Sequence, residues 1–358
     1  MTAVPPTPAK RRRRWLLVLA ASAAPFVLLE IGLRLFYDAR DLEREGLNAA
    51  KPHCARVLAE VFEWDPDETV RYTLRPSITV EDVDATYRTN ALQLRGPEIS
   101  KEKPAGTRRV LVLGDSYAFG LGVDQDDTIT AALQRRLAEA GIDPVECLNM
   151  GVPGYHTGQE LARLEREGFE LDPDLVVLFY CPNDESSEAF HFDESTGVLY
   201  GDMLPLPYPW KRHLRHSAIY SLISHRVALS KLESGELKAM EPHQWPPTKE
   251  RIERLFALCK EREIPILFLN LPVMSAGTAA LKSPEYQYHA NYDRLGALAD
   301  EHQVPWIDLK EYLLQKVQGV ELLFVRVTAP LDPHLNAKGY DLVAQAIVEK
   351  IRAMEWLR

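Results

Sequence analysis

Arg109-Val110-Leu111-Val112-Leu113-Gly114-Asp115-Ser116-Tyr117-Ala118-Phe119-Gly120 marks the point where the chain turns from irregular to regular. The unbroken apolar run reads as a strand covered on both faces, because a strand with one wet face would alternate. Gly114 permits a tight turn, and a segment of helical character follows. The unit then repeats. Strands are expected at Arg109–Leu113, Val145–Asn149, Leu175–Tyr180, Ile264–Leu269 and Pro305–Leu309. Between and after them, helices are expected at Thr128–Ala140, Thr157–Glu167, Lys249–Glu263, Glu285–His302 and Ala337–Leu357. Apolar residues spaced three and four apart, such as Leu255, Leu258 and Cys259, give each helix one stripe to bury. Alternating β and α segments predict an α/β fold, a doubly wound three-layer α/β/α arrangement around a five-stranded parallel sheet.

Working outward, residues 186–249 break this rhythm with a segment rich in proline, histidine and aromatics, including Pro205, Pro207, Tyr208, Pro209 and Trp210. A structureless connection of that length is uncommon in a compact domain, so an inserted, lid-like segment is expected. Upstream, residues 38–107 read as a stalk and small β-rich lead-in, with strand-like pieces at Val70–Leu74, Ile78–Val80 and Ala85–Thr89 and one helical pattern at Ala55–Phe62. The first 14 residues end in Lys10-Arg11-Arg12-Arg13-Arg14 and form a basic tail. The run from Trp15 to Tyr37 that follows is long enough to cross a bilayer, which takes about 20 residues. Basic residues stay on the cytoplasmic side, so a spanning segment places the regular α/β domain, residues 108–358, outside the cytoplasm. A cleaved signal peptide is the competing reading, with small residues at Ala21-Ser22-Ala23. Glu30 and Arg34, four apart on a helix, share a face and can pair near the outer interface.

The 358 residues carry a net charge of −10, spread without acidic runs, and an acidic body repels phosphate backbones, which excludes nucleic acid as the expected partner. Cys54, Cys147, Cys181 and Cys259 form no C-x-x-C pair and read as small buried hydrophobes. The histidines of the insert (His191, His213, His216, His225, His243) fit no tight ligand spacing, so no metal is expected.

In an open α/β sheet the reacting groups gather at the carboxyl ends of strands. Ser116 follows the first. A serine there also serves as a helix cap, so it says little alone. The second strand ends in Asn149-Met150-Gly151-Val152-Pro153-Gly154, making the Gly151 amide a candidate oxyanion donor. The third ends in Cys181-Pro182-Asn183-Asp184, adding the Asn183 amide. Before the last helix stands Leu331-Asp332-Pro333-His334, an imidazole with a carboxylate nearly adjacent. A serine hydroxyl needs a base, and the base works better when an acid fixes its tautomer, so Ser116, His334 and Asp332 are the candidate catalytic residues. Asp115 and Asp184 read as turn caps.

Taken in order, Gly114-Asp115-Ser116, Gly151, Asn183-Asp184 and Asp332-Pro333-His334 resemble the four blocks of the SGNH (GDSL-like) hydrolase superfamily, over roughly Arg109–Arg358. The resemblance implies a flavodoxin-like fold and acyl-ester hydrolysis without cofactor or metal. It also implies an oxyanion hole from the Ser116 and Gly151 amides and the Asn183 side chain. The family's usual acid stands three residues before the histidine, where this chain has Leu331, while Asp332 stands two before. Tyr87–Gly96 is similar to the lead-in of bacterial envelope members, with Gln93 where glycine is more usual. Expected substrates are small-molecule, glycan or lipid esters. Acyl transfer to a sugar hydroxyl by the same site, and a catalytically silent binding module, are the alternatives.

Overall fold

The computed structural model describes residues 14, 21–33, 60–81, 85–185, 191–193, 198–200, scattered positions from 206 to 227, 245–272, 277–286, 288–323 and 334–357. It opens with β1 (Phe62–Trp64), β2 (Tyr72–Leu74), β3 (Thr79–Glu81) and β4 (Thr86–Arg88). Then come β5 (Arg108–Leu113), α1 (Ser116–Phe119), α2 (Ile129–Glu139), β6 (Val145–Asn149), α3 (Thr157–Arg163) and β7 (Leu175–Tyr180). The short strands β8 (His191–Asp193) and β9 (Val198–Tyr200) pair within the insert. The chain continues through α4 (Trp245–Glu261), β10 (Ile266–Asn270), α5 (Gly277–Leu281), α6 (His289–Glu301), β11 (Trp306–Asp308), α7 (Leu309–Lys316) and α8 (Ala337–Ala353).

Five strands form one parallel sheet in the order β11-β10-β7-β5-β6, as the apolar runs predict. One face carries Val110, Val112, Val177 and Leu267 against α2, α7 and α8. The other carries Leu111, Leu113, Val176 and Phe268 against α4 and α6. The strand order reverses between β5 and β7, so the loops leaving those two strands diverge and open a crevice between them. Ser116 and Asn183 follow these two strands.

Differences from the sequence reading have local causes. β10 and β11 begin just after Pro265 and Pro305, which join the ladder only through their carbonyls, accepting from Val176 and Phe268 at 3.0 Å. Proline has no N–H to give to the other side. Helix α7 is an element the sequence reading lacks. The Asp308 side chain caps it by accepting from the Glu311 N–H at 3.2 Å. The helix expected at Ala55–Phe62 gives way at its end to β1, where Phe62 is buried opposite Leu74.

Of the expected tail and span, residue 14 and the helical stretch 21–33 are described, while 15–20 and 34–37 lie outside the described residues. Among the described residues no helix is long and apolar enough to cross a membrane. The Glu30 carboxylate accepts from Ser217 Oγ and from the Ala218 and Ile219 amides at 2.8–3.1 Å, partners the sequence reading does not anticipate. Residues 38–59 also lie outside the described set.

The lead-in from residue 60 onward is β-rich and packed onto the domain. Val61, Phe62, Tyr72, Leu74 and Tyr87 share one buried cluster with Phe119, Val152 and Tyr155. Gln93 holds φ 58°, the left-handed region that glycine prefers, and its side chain donates to Glu63 at 2.6 Å. Arg95 is the link to α1. Its buried guanidinium lies 4.7 and 4.6 Å from the ring centroids of Tyr87 and Phe119, which stack on each other beside it. It donates to the carbonyls of Phe119, Gly120 and Val123 at the end of that helix. Burial lowers its pKa to about 10, so it stays charged at neutral pH. Replacing it takes the donor from the Val123 carbonyl and leaves the Phe119 and Gly120 carbonyls with only 3.4 Å contacts from Asn149 Nδ2 and the Val123 N–H. An unmet carbonyl in a dry site costs about 1–3 kcal/mol, so Arg95→Leu is expected to lower unfolding stability by roughly 2 kcal/mol. Urea unfolding measures this, and a loss below about 0.5 kcal/mol, the scale of an ordinary surface change, would contradict it.

Candidate active site

Strand β5 delivers the serine through a turn only glycine can make. Gly114 sits at φ 151°, and a Cβ there would lie 2.7 Å from Ala118 Cβ and 2.8 Å from Phe179 Cβ. Asp115 then caps α1, its Oδ1 accepting from the Tyr117 N–H at 2.9 Å. Ser116 begins the helix, half-buried, with its N–H in the first turn, where helices provide no internal acceptor.

His334 comes from the far end of the chain and is 5% exposed. Its Nε2 lies 2.8 Å from Ser116 Oγ across a separation of 218 residues. Its ring packs on Tyr117, centroids 5.0 Å apart. Tyr117 is in turn held by Tyr340 of α8, whose hydroxyl donates to the Tyr117 carbonyl at 2.9 Å. Asn336 caps α8 by accepting from the Gly339 N–H at 3.0 Å, which fixes the turn just after the histidine. The other contact of the hydroxyl, Asp115 Oδ2, is at 3.4 Å, long for an O–H···O bond, so the imidazole is its principal partner. Asp332 lies outside the described residues.

Gly151 stands directly against α1. A Cβ on it would fall 2.2 Å from the Phe119 amide nitrogen and 2.6 Å from the Ala118 carbonyl carbon, so the approach of these two loops needs glycine. Its N–H donates to Asn149 Oδ1 at 2.9 Å, while Asn149 Nδ2 donates to the Ala118 carbonyl at 2.8 Å. The Gly151 amide thus lies against α1, the helix that begins at Ser116, but is engaged in a turn. Asn183 belongs to the 3-10 turn Pro182–Glu185, and its side chain lies outside what is described. That turn is fixed by Asp184, whose carboxylate accepts from the Cys181 N–H at 2.8 Å and Thr157 Oγ1 at 2.9 Å.

Behind the serine lies a buried acidic group that the sequence reading does not assemble. Cys181 Sγ donates to Asp115 Oδ2 at 3.0 Å. Asp184 and Glu160 are buried close by, and neither carboxyl oxygen of Glu160 has a partner among the described residues. Burial, and then the charges of Asp184 and Asp115, hold the Glu160 carboxyl well above the usual range. Burial and Asp115 do the same to Asp184. Burial of Glu160 cannot be inferred from its place in an ordinary helical pattern, which is why only coordinates reveal it. His156, just before α3, is neutral too: burial lowers its pKa to about 3, and its Nδ1 accepts from the Gly158 N–H at 2.9 Å. No group of His, Cys, Asp and Glu among the described residues could hold a metal ion.

The chain matches the GDSL-like Lipase/Acylhydrolase family over residues 112–342. It belongs to that family. A similar curated protein is the esterase TesA of Pseudomonas aeruginosa, 38% identical over 80 residues, which are 22% of this chain and 39% of that protein. The match thus spans about two fifths of the relative. Similar solved structures include the acetyl xylan esterase AlAXEase, 18% identical over 68% of this chain and 99% of that one, TM-score 0.44. Another is the lipase/acylhydrolase from Enterococcus faecalis, 20% identical over 69% and 96%, TM-score 0.43. In this GDSL-like chain the family match takes in Ser116, Gly151, Asn183 and His334.

Glu160 supplies a test of the buried acids. A carboxyl whose pKa is raised by folding keeps its stability at low pH and loses it as pH rises from the unfolded value toward the folded one. Glu160→Gln, which keeps the shape and removes the ionisation, is therefore expected to raise Tm relative to wild type. The gap should widen as pH climbs above 4.5, the ordinary value for a glutamate. Thermal melts at several pH values measure it, and a gap independent of pH would contradict the raised pKa.

Proposed function

We propose that this GDSL-like chain is an esterase tethered to a membrane, with its catalytic domain outside the cytoplasm, that hydrolyses acyl esters of an envelope glycan or a lipid. The 2.8 Å approach of His334 Nε2 to Ser116 Oγ carries the catalytic part of this reading. At that distance a neutral imidazole accepts the hydroxyl proton as Oγ attacks the ester carbonyl carbon. The carbonyl oxygen gains the charge, and the Ser116 amide, the Gly151 amide and the Asn183 side chain are the proposed donors to it. For Gly151 this means sharing its N–H with Asn149 Oδ1 or giving that bond up.

Collapse of the tetrahedral adduct breaks the bond to the alcohol oxygen, which leaves with the proton held on His334, and the acyl group remains on Ser116. Water then attacks the acyl-enzyme with His334 as base, releasing the acid and restoring the hydroxyl. Asp332 is proposed to hold the imidazole tautomer, two residues before it in sequence. Loss of one oxyanion donor commonly costs about 100- to 1000-fold in rate, and Asn183→Ala is the variant in which to look for it.

The basic-then-apolar order of residues 10–37 supports the tether and the orientation. Ser116→Ala is expected to abolish turnover of p-nitrophenyl acetate and labelling by a fluorophosphonate, while the fold, read by circular dichroism, is unchanged. Turnover at the wild-type rate in that variant would refute the assignment of the nucleophile. Product analysis with a glycan acceptor present separates hydrolysis, which gives free acid, from acyl transfer.

A further inference from the structure

The turn Pro182–Glu185 leaves β7 and carries Asn183, and the two acids that follow Asn183 fasten it. Asp184 ties it to the Cys181 N–H and, through Thr157, to α3. Thr248 of α4 adds a hydrogen bond to the Asp184 carbonyl at 3.2 Å. Glu185, also buried, is the second fastening. Its Oε1 accepts from the Tyr180 hydroxyl at 2.9 Å and pairs with Nη2 of Arg294, a residue of α6. Burial, and then the charges of Glu185 and Asp184, hold the Tyr180 hydroxyl well above its ordinary range, so it stays a donor. The Arg294 guanidinium also lies over the Trp245 ring at the start of α4, 4.3 Å from its centroid. One arginine of α6 thus joins the turn to a second helix.

The pair is one-sided. Arg294 keeps 32% of its side chain exposed, whereas Glu185 has none in water. Glu185 Oε2 has no partner among the described residues, so Tyr180 and Arg294 are all that hold this carboxylate. Removing the arginine leaves a carboxylate in a dry site with one neutral donor, which is far costlier than removing both charges together. An unpaired carboxylate at neutral pH is drawn toward water. That movement pulls on the backbone two residues from Asn183, and a misplacement of about 1 Å at a reacting group can cost about 100-fold in rate.

The geometry points to Arg294 as a positioning residue for ester hydrolysis: through Glu185 it holds the turn that presents Asn183 to the oxyanion. The inference rests on the role proposed above for Asn183. Arg294 itself stays out of the chemistry, since its contacts go to Glu185 and Trp245 rather than to Ser116 or His334.

Steady-state turnover of p-nitrophenyl acetate by the full chain tests it. Arg294→Met keeps an unbranched stem beside Trp245 and removes the charge. It is expected to lower kcat at least about tenfold, within the loss shown by Asn183→Ala, while KM changes less than about twofold. Adding Glu185→Gln keeps an acceptor for Tyr180 and removes the stranded charge, so kcat is expected to return to within about threefold of wild type. In an Asn183→Ala background, Arg294→Met is expected to cost nothing further. The inference is overturned by an Arg294→Met chain as fast as wild type, by a loss that Glu185→Gln does not repair, or by an equal loss in the Asn183→Ala background. Should Arg294→Met alone fail to fold, read by circular dichroism, the double variant must fold and turn over; if it also fails to fold, the stranded charge is not the cause and the inference falls. Asn183→Ala turning over at the wild-type rate instead sinks the oxyanion assignment on which the inference rests, a result read without touching Arg294.

Discussion

The site depends on a missing Cβ. The loops after β5 and β6 approach so closely that any side chain at position 151 would strike the backbone of α1, with 2.2 Å to the Phe119 nitrogen. Only that contact lets the Gly151 turn and the first turn of α1 share one rim. Gly114 imposes a similar limit on the other side, where α1 crosses the end of β7 at Phe179. Once α1 is wedged between β6 and β7, the direction of the Ser116 side chain is set by packing. His334 has only to be delivered to it, and the capped start of α8 together with the Tyr117 ring does so.

Two further layers brace this wedge. The lead-in reaches α1 through Arg95, whose charge is neutralised by no carboxylate in its hydrogen bonds and is instead spread over three carbonyls and two ring faces. The acidic group under the serine is the opposite kind of element. Two carboxyls are held above their usual range because their ionised forms would share a dry space with Asp115. Asp115 caps α1, the helix that begins at Ser116.

Much of this was legible in the sequence. The five apolar runs give the sheet because a strand buried on both faces has no other composition open to it. Ser116 stands out because a turn glycine precedes it at a strand end, and His334 because an Asp-Pro-His run precedes the last helix; the structure brings those two side chains together. What was not legible has physical reasons. The burial of Glu160 depends on which face of α3 meets the sheet behind the serine. Nothing in the sequence of the Tyr87–Gly96 stretch pairs Arg95 with the rings of Tyr87 and Phe119 or with the carbonyls after α1. Helix α7 could have been found from Asp308 and Glu311, a cap and its first-turn acid. The span 15–37 and Asp332 lie partly or wholly outside the described residues, so the tether and the triad acid remain proposals drawn from sequence order.

The central claim is that Ser116, helped by His334, carries the acyl group with its developing charge turned toward the Gly151 and Asn183 loops. A crystal structure of the chain after reaction with a phosphonate ester tests it most directly. The account predicts phosphorus bonded to Ser116 Oγ, with one phosphoryl oxygen within about 3 Å of the Ser116 and Gly151 nitrogens and the Asn183 amide. Phosphorus bound elsewhere, or an adduct on Ser116 whose oxygen faces away from those donors, would contradict it.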